Sequence, residues 1–284
     1  MNDTPTTWDL EISSKNRWFQ WNLKELWRYR DLLLLLVKRD YKASFRQTVL
    51  GPIWFFIQPI FTTFVYTFVF NRVAQIGTEG QPPILFYLSG IILWNYFSAC
   101  LLGTSNAFVS NANIFGKVYF PRLIIPISII VSNLMKFTVQ LLFFIGCLFY
   151  YSIFQHYHIQ ISWHILLAPL LVLMMAILGL AIGMFVSTFT TKYRDLQYLL
   201  TFGVQLLMYA TPIVYPISAV EGTLKKVILL NPMTGIVEGF KFAFLGCGEW
   251  NFGMLAYSAG FGLVLLIIAL ELFGRVEKAF MDTV

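Results

Sequence analysis

The sequence predicts an all-α integral membrane protein with six transmembrane helices, and three observations carry that expectation. Of the 284 residues, 58% are hydrophobic and only 12% charged, and the mean hydropathy is +0.69. Uncharged runs of roughly 20 residues recur, each long enough to cross a hydrocarbon core of about 30 Å. Lysine and arginine gather in alternate gaps between those runs, the pattern of loops retained on the cytoplasmic side.

The first 50 residues are charged and hold no apolar core of signal-peptide type, so no cleaved leader is expected. Asn22 and Glu25 have the spacing of a capping box. Beyond them Leu23, Leu26, Trp27, Leu33, Leu34 and Val37 oppose Lys24, Arg28, Lys38 and Arg39, which predicts an amphipathic helix along the inner leaflet. Residues 1–50 are read as a cytoplasmic N-terminus bearing this helix, and residues 51–284 as the membrane domain. Its spans are 54–70, 84–108, 123–154, 165–189, 198–214 and 254–273. The third is longer than a perpendicular crossing needs, so tilt or a bend near Pro126 is expected.

The breaks between spans are as informative as the spans. Residues 111–126 read NANIFGKVYFPRLIIP, too long and aromatic for a turn and, with Asn111, Asn113, Lys117 and Arg122, too polar for a span. Asn111 or Asn113 can cap a short helix, Ile114, Phe115, Val118 and Tyr119 recur at helical spacing, and Pro121 ends it. Such a helix either floats at the headgroups or fits a soluble partner. The gap 190–195 is a compact charged loop on the same side. Residues 215–250 are too few and too polar for two crossings, yet 224–230 and 233–245 are helix-like and apolar, interrupted at Asn231-Pro232. They read either as a re-entrant hairpin or as a cap lying on the membrane.

With the N-terminus inside, fifteen of the twenty Lys and Arg fall on the cytoplasmic side and four outside, with Lys136 in a span. The net charge of +6 is therefore a topology signal and calls for no nucleic acid. Lys136 follows Ser132 and Asn133; it either pairs with backbone or substrate, or sits with that polar patch in a wet, protein-lined pocket. No Asp or Glu occurs between Glu79 and Asp195, which argues against proton- or sodium-coupled transport. The chain has no G-x-x-x-x-G-K-[ST] loop to cradle ATP phosphates. Cys100, Cys147 and Cys247 are scattered, and His156, His158 and His164 have no carboxylate close in sequence, so no metal site is expected.

Phe55, Gln58, Thr62 and Tyr66 share one face of the first span, and Tyr198, Phe202, Gln205 and Tyr209 one face of the fifth. Aromatic rings mixed with uncharged hydrogen-bonding groups suit a sugar chain, so these stripes are candidates for a conduit wall, with packing or lipid-facing surface as the alternative. Trp94 and Tyr96 are weaker candidates.

Five segments in order then point to a family. ELWRYRDLLLLLVKRDYKASFRQTVLGPIWFFIQP (25–59), NIFGKVYFPRLIIP (113–126), TTKYRDL (190–196), TPIVYP (211–216) and NPMTGIVEGFK (231–241) together resemble the membrane subunit of polysaccharide-export ABC transporters. The likeness is above all to Wzm-like permeases that move lipid-linked O-antigens, with teichoic-acid and capsule permeases as relatives.

The resemblance implies a type-2 ABC exporter fold and a permease that is not itself an enzyme. It further implies a homodimer bound to two copies of a separate ATPase, which would hold ATP and Mg2+ while this chain holds no cofactor. It makes 111–122 a coupling loop (Asn113, Phe115, Lys117, Tyr119, Pro121, Arg122) and the N-terminal helix (Leu26, Trp27, Arg30) an interface helix. It makes 215–250 a re-entrant outer gate broken at Asn231 and Pro232. The expected substrate is a lipid-linked glycan crossing the bacterial inner membrane, with both termini cytoplasmic. Two other functions remain open: an ABC permease for a small lipid or drug, and a membrane-embedded glycosyl- or phosphotransferase, which would need a positioned base or a metal-binding carboxylate pair.

Overall fold

A computed structural model describes residues 23–46, 48–111, 114, 120–155, 157 and 163–281. Among these residues every regular element is helical: α1 (Leu23–Arg28), α2 (Arg30–Ala43), α3 (Trp54–Tyr66), α4 (Pro83–Ser105), α5 (Ala107–Ser110), α6 (Ile124–Phe154), α7 (Ala168–Thr190), α8 (Leu196–Tyr209), α9 (Gly222–Leu230), α10 (Pro232–Leu245) and α11 (Phe252–Met281). Among the described residues five helical stretches are long and apolar enough to cross a membrane, and α9 with α10 forms one apolar pair bent by 94°. The end bearing α2, α5 and the 190–195 loop is called proximal below, and the opposite end distal.

Burial sorts the spans. α4 is apolar all round, and 78% of its membrane window is buried, so it is the central post. α3, α6, α7, α8 and α10 pack against it, and α11 packs along α7. Two glycines bring α7 close against α4. A Cβ on Gly183 would lie 2.7 Å from the Leu101 carbonyl oxygen, and one on Gly179 would lie 2.9 Å from Cys100 Cβ. A small residue every fourth position lets the α4 and α7 backbones touch, which is how helices associate where lipid offers no hydrophobic driving force.

α3 stands apart, with only 11% of the window over Gly51–Val73 buried. Pro59 lies inside it and supplies no N–H to the Phe55 carbonyl. Gln140 of α6 reaches across and donates to that oxygen at 3.2 Å, satisfying in the apolar layer what the proline leaves open. Distally the helix widens into π geometry over Thr67–Val73 and closes with Ala74 N–H donating to Val69 O at 2.9 Å.

Three expectations need adjusting. The N-terminal helix is two pieces, broken at Tyr29 (φ −92, ψ 17), and its apolar face is divided. Leu36 and Val37 are buried and Leu26 and Leu33 partly so, whereas Trp27 and Leu34 point outward. The Asn22 cap lies outside the described residues. The fifth span ends at Tyr209 rather than Val214, because Pro212 pushes Thr211 out of helical geometry; 14 residues rise about 21 Å, short of a full crossing. The bend near Pro126 is not needed, since that proline sits in the first turn of α6, where its missing N–H has no intrahelical partner to lose.

Candidate functional site

At the proximal end, Leu36, Phe108, Phe120, Ile124, Met184, Ala269 and Phe273 form one apolar cluster, with Phe108 stacked on Phe273 at 4.4 Å. Ile114 packs against it and Phe120 and Arg122 are buried in its neighbourhood, so both ends of the 111–122 loop are anchored. Asn113, Phe115, Lys117 and Tyr119 lie outside the described residues; Pro121 precedes α6 and accepts from Ile124 N–H at 3.0 Å. Asn111 donates to Ala107 O at 3.1 Å, and its Oδ1 accepts from Arg39 Nη2 at 3.3 Å. The N-terminal helix is thus tied to the start of the loop through one side-chain bond. Trp27 is 71% exposed with the Arg30 guanidinium over its ring at 5.8 Å, the amphipathic pairing expected at a headgroup boundary.

The two stripes lie mostly on the surface of the single chain. Tyr198, Phe202, Gln205 and Tyr209 are all exposed along α8. On α3, Thr62 donates back to Gln58 O at 2.9 Å, and Tyr66 packs edge-on against Tyr87 while donating to Met208 Sδ at 3.6 Å. That last contact brings the stripes together at their distal ends only. Phe55 and Gln58 instead open into a cavity of about 540 Å³, in the range of small-ligand sites, which Tyr96 and Lys136 also line. Trp94 turns away and packs on Phe97.

At the distal end the hairpin is fastened at its break. Asn231 caps α10 by accepting from Met233 N–H at 3.0 Å, and its Nδ2 donates to Thr211 Oγ1 at 2.8 Å and Ala210 O at 3.3 Å. Tyr257 and Ser258 of α11 donate to the Leu230 and Pro232 carbonyls. They sit about 8 Å along α11 from its distal start, so the break lies that far below the distal rim. α9 and α10 therefore fill the depth that the short α8 leaves.

The cap over this hairpin carries buried charge. Lys241 is fully buried, donates to Pro212 O at 2.6 Å, and sets its ammonium over the Phe86 ring at 3.8 Å. Glu238 accepts from Glu249 N–H at 3.2 Å and abuts Gly248, where a Cβ would fall 2.8 Å from the carboxylate and φ is +88. Glu79 joins the loops by accepting from Ser218 Oγ and from Gly248 N–H. Cys247, in the same cap, has its thiol pushed up to about 12 by burial. His156 and His158 lie outside the described residues, while His164 packs among Trp163, Phe242 and Trp250. No group of three metal-binding side chains occurs among the described residues.

With this geometry in place, comparison with known proteins decides the family. Residues 31–245 match the family described as ABC-2 type transporter, three-quarters of the chain. The chain belongs to the ABC-2 type transporter family. As a member it is a transport subunit in the membrane, working with a separate ABC ATPase, and not an enzyme. It is similar to the O-antigen export system permease protein RfbA of Myxococcus xanthus, 28% identical over 92% of this chain and 98% of that one. A permease of the same description from Klebsiella pneumoniae is 25% identical over 89% of this chain and 94% of its own length. The polysialic acid transport protein KpsM of Escherichia coli is 22% identical over 87% and 94%.

Several residues that organise this ABC-2 transporter escaped the sequence reading. Gly179 and Gly183 carried a visible signal, the four-residue spacing of small residues in an apolar run. Gln140 carried another, standing one and two helical turns from Lys136 and Asn133. The buried state of Glu238 and Lys241 had none, because charges three apart on an amphipathic helix ordinarily mark its wet face.

Proposed function

We propose that two copies of this chain, joined to two ABC ATPase subunits, export a lipid-linked polysaccharide of O-antigen type across the bacterial inner membrane. The observation carrying this reading is similarity over nearly the whole chain to proteins described as O-antigen export permeases. In this reading the proximal end faces the cytoplasm, as the fifteen-to-four charge bias favours, and both termini lie there. Asn113, Phe115, Lys117, Tyr119 and Pro121 meet the ATPase, with Phe115 and Tyr119 as anchors, whereas Arg122, expected among them, is 4% exposed and instead fixes the end of the loop to the body of the chain. The Arg39–Asn111 bond would carry their displacement into α2 and α6. The exposed stripe of α8, with Thr62 and Tyr66 of α3, would face the second copy and line the conduit. Asn231 and Pro232 form the hinge of the outer gate.

The test is reconstitution with the ATPase in proteoliposomes, with translocation of a lipid-linked glycan as readout. Changing Phe115 and Tyr119 together to Ala should weaken binding of the ATPase and abolish ATP-driven export. The reading fails if the purified chain is a monomer that binds no ATPase, or if cysteines placed at 111–122 label from outside the cell.

A further inference from the structure

The nine-residue α9 is fixed at both ends and only loosely held between them. At its C-terminal end Asn231 ties it to Thr211, and ahead of its N-terminal end Ile217 is fully buried. From 218 to 230 only Ile228 is buried, and Leu224, Val227 and Leu230 are exposed, so apolar packing holds this piece weakly. Gly222, where α9 starts, has φ +67 and nothing within 4 Å of its Cβ position, which leaves room for the helix to turn there.

Polar contacts do what packing does not. Lys225 Nζ of α9 donates to Glu249 at 3.3 Å, and Ser218 Oγ, in the turn Ile217–Ala219 that leads into α9, donates to Glu79. Glu249 lies on the loop between α10 and α11, where Gly246 (φ +70) and Gly248 (φ +88) give the chain little stiffness of its own. Two carboxylates grip neighbouring amides of that loop: Gly248 N–H donates to exposed Glu79 at 2.9 Å, and Glu249 N–H to buried Glu238 at 3.2 Å. Glu79 therefore serves both contacts, holding the turn before α9 and the loop that presents Glu249. It stands on the loop that leaves α3, at φ +52, a conformation a non-glycine residue keeps only where its surroundings fix it. A part-exposed ion pair adds little stability, but it opens and closes without stranding a charge, because water takes up both ends.

We propose that Lys225 and Glu249 form a catch that keeps α9 closed, and that Glu79 is the positioning residue that sets this catch and joins it to α3. This rests on the export reading above, in which α9 covers the outer end of the conduit and the catch opens in each transport cycle. Amide exchange of the full-length chain in nanodiscs reads the catch without transport. Lys225→Glu should speed exchange across 222–230 about threefold, the effect of losing an exposed pair, and adding Glu249→Lys should return it to the wild-type rate. Glu79→Ala should speed exchange across 217–230 and 246–250 about tenfold, since one carboxylate served Ser218 and Gly248, and Glu79→Gln, which keeps an acceptor, by less. Exchange across 233–245 should stay unchanged in all of them, because α10 is buried. Absence of rescue by the charge swap, or faster exchange in α10, overturns the proposal.

The gate itself is read in proteoliposomes containing the ATPase, with Lys225→Cys/Glu249→Cys in a chain lacking its three native cysteines. Bridging the two thiols with a short bis-methanethiosulfonate should stop ATP-driven export of a lipid-linked glycan, and dithiothreitol should restore it. Export that continues through the bridge overturns the proposal and leaves the export reading standing. A wild type that exports no lipid-linked glycan overturns the export reading, and the gate role with it.

Discussion

Replacing Gly183 by Ala tests whether α4 and α7 meet at backbone contact. The new Cβ would overlap Thr104 Oγ1 and stand 2.7 Å from Leu101 O, and the hydroxyl is already fixed by donating to Cys100 O at 2.6 Å. Rotating Thr104 removes the first clash but not the second, since a main-chain oxygen yields only if the helix moves. Restoring ordinary contact requires the helices to part by about 0.7 Å along much of their length, undoing packing on both sides. Overpacking of this kind costs up to about 3 kcal/mol, and the gain in helix propensity from Gly to Ala returns about 1, leaving a net loss near 2. Gly146 of α6 is the control, because nothing lies within 4 Å of its Cβ position. Gly146→Ala should be neutral or stabilising by up to about 1 kcal/mol. Unfolding in mixed detergent and SDS micelles should therefore separate the two variants by about 3 kcal/mol, roughly two powers of ten in the equilibrium constant. The double variant Gly183→Ala/Thr104→Ala should recover only part. If Gly183→Ala matches Gly146→Ala, the two helices are not in backbone contact.

Gln140→Leu should cost about 1–3 kcal/mol by stranding the Phe55 carbonyl, and less in a Pro59→Ala background, where residue 59 regains its N–H; a double-mutant cycle reads the difference. Asn231→Ala loses a helix cap, worth about 1 kcal/mol, and the tie to Thr211, so amide exchange should rise across 222–245 and remain unchanged in α4. Asn111→Ala should leave the complex assembled and its basal ATP hydrolysis intact, while substrate-stimulated hydrolysis falls, measured in the reconstituted complex. With its thiol raised to about 12, Cys247 stays protonated at neutral pH. In a Cys100→Ser/Cys147→Ser chain it should resist maleimide at pH 7 and react faster only as pH climbs toward that value, whereas a cysteine replacing exposed Glu221 should label at once.

The spans were legible because each is an unbroken apolar run between charged or proline-bearing gaps. The hairpin break was legible for the same reason: Asn followed by Pro ends one helix and starts another. The early end of α8 was also written in the sequence, as Pro212, but apolar Ile213 and Val214 masked it; they are buried in a run of turns rather than in helix. The break at Tyr29 has no Gly or Pro to announce it. The cavity was half legible. Asn133 and Lys136 already marked a polar patch on α6, but its other walls come from α3 and α4, and no periodicity within one helix reports which neighbour it will face. The division of α2 into buried and exposed apolar residues is likewise set by α6 rather than by its own pattern.

A transmembrane wall whose distal portion is a separate folded piece has a seam partway through the bilayer. α8 stops at Tyr209, and the remaining thickness is supplied by two short helices pinned through Asn231 and the α11 hydroxyls. Swinging α10 aside would uncover Ile236, Val237, Phe240 and Leu245, which are fully buried, whereas α9 is largely exposed; on the export reading α9 is the part that can work as a valve flap while α10 and the proximal half keep their shape. The buried Lys241 clasping the Pro212 carbonyl sits where the flap meets its frame. Releasing it would leave a buried ammonium without an oxygen to donate to, a cost that holds that joint shut.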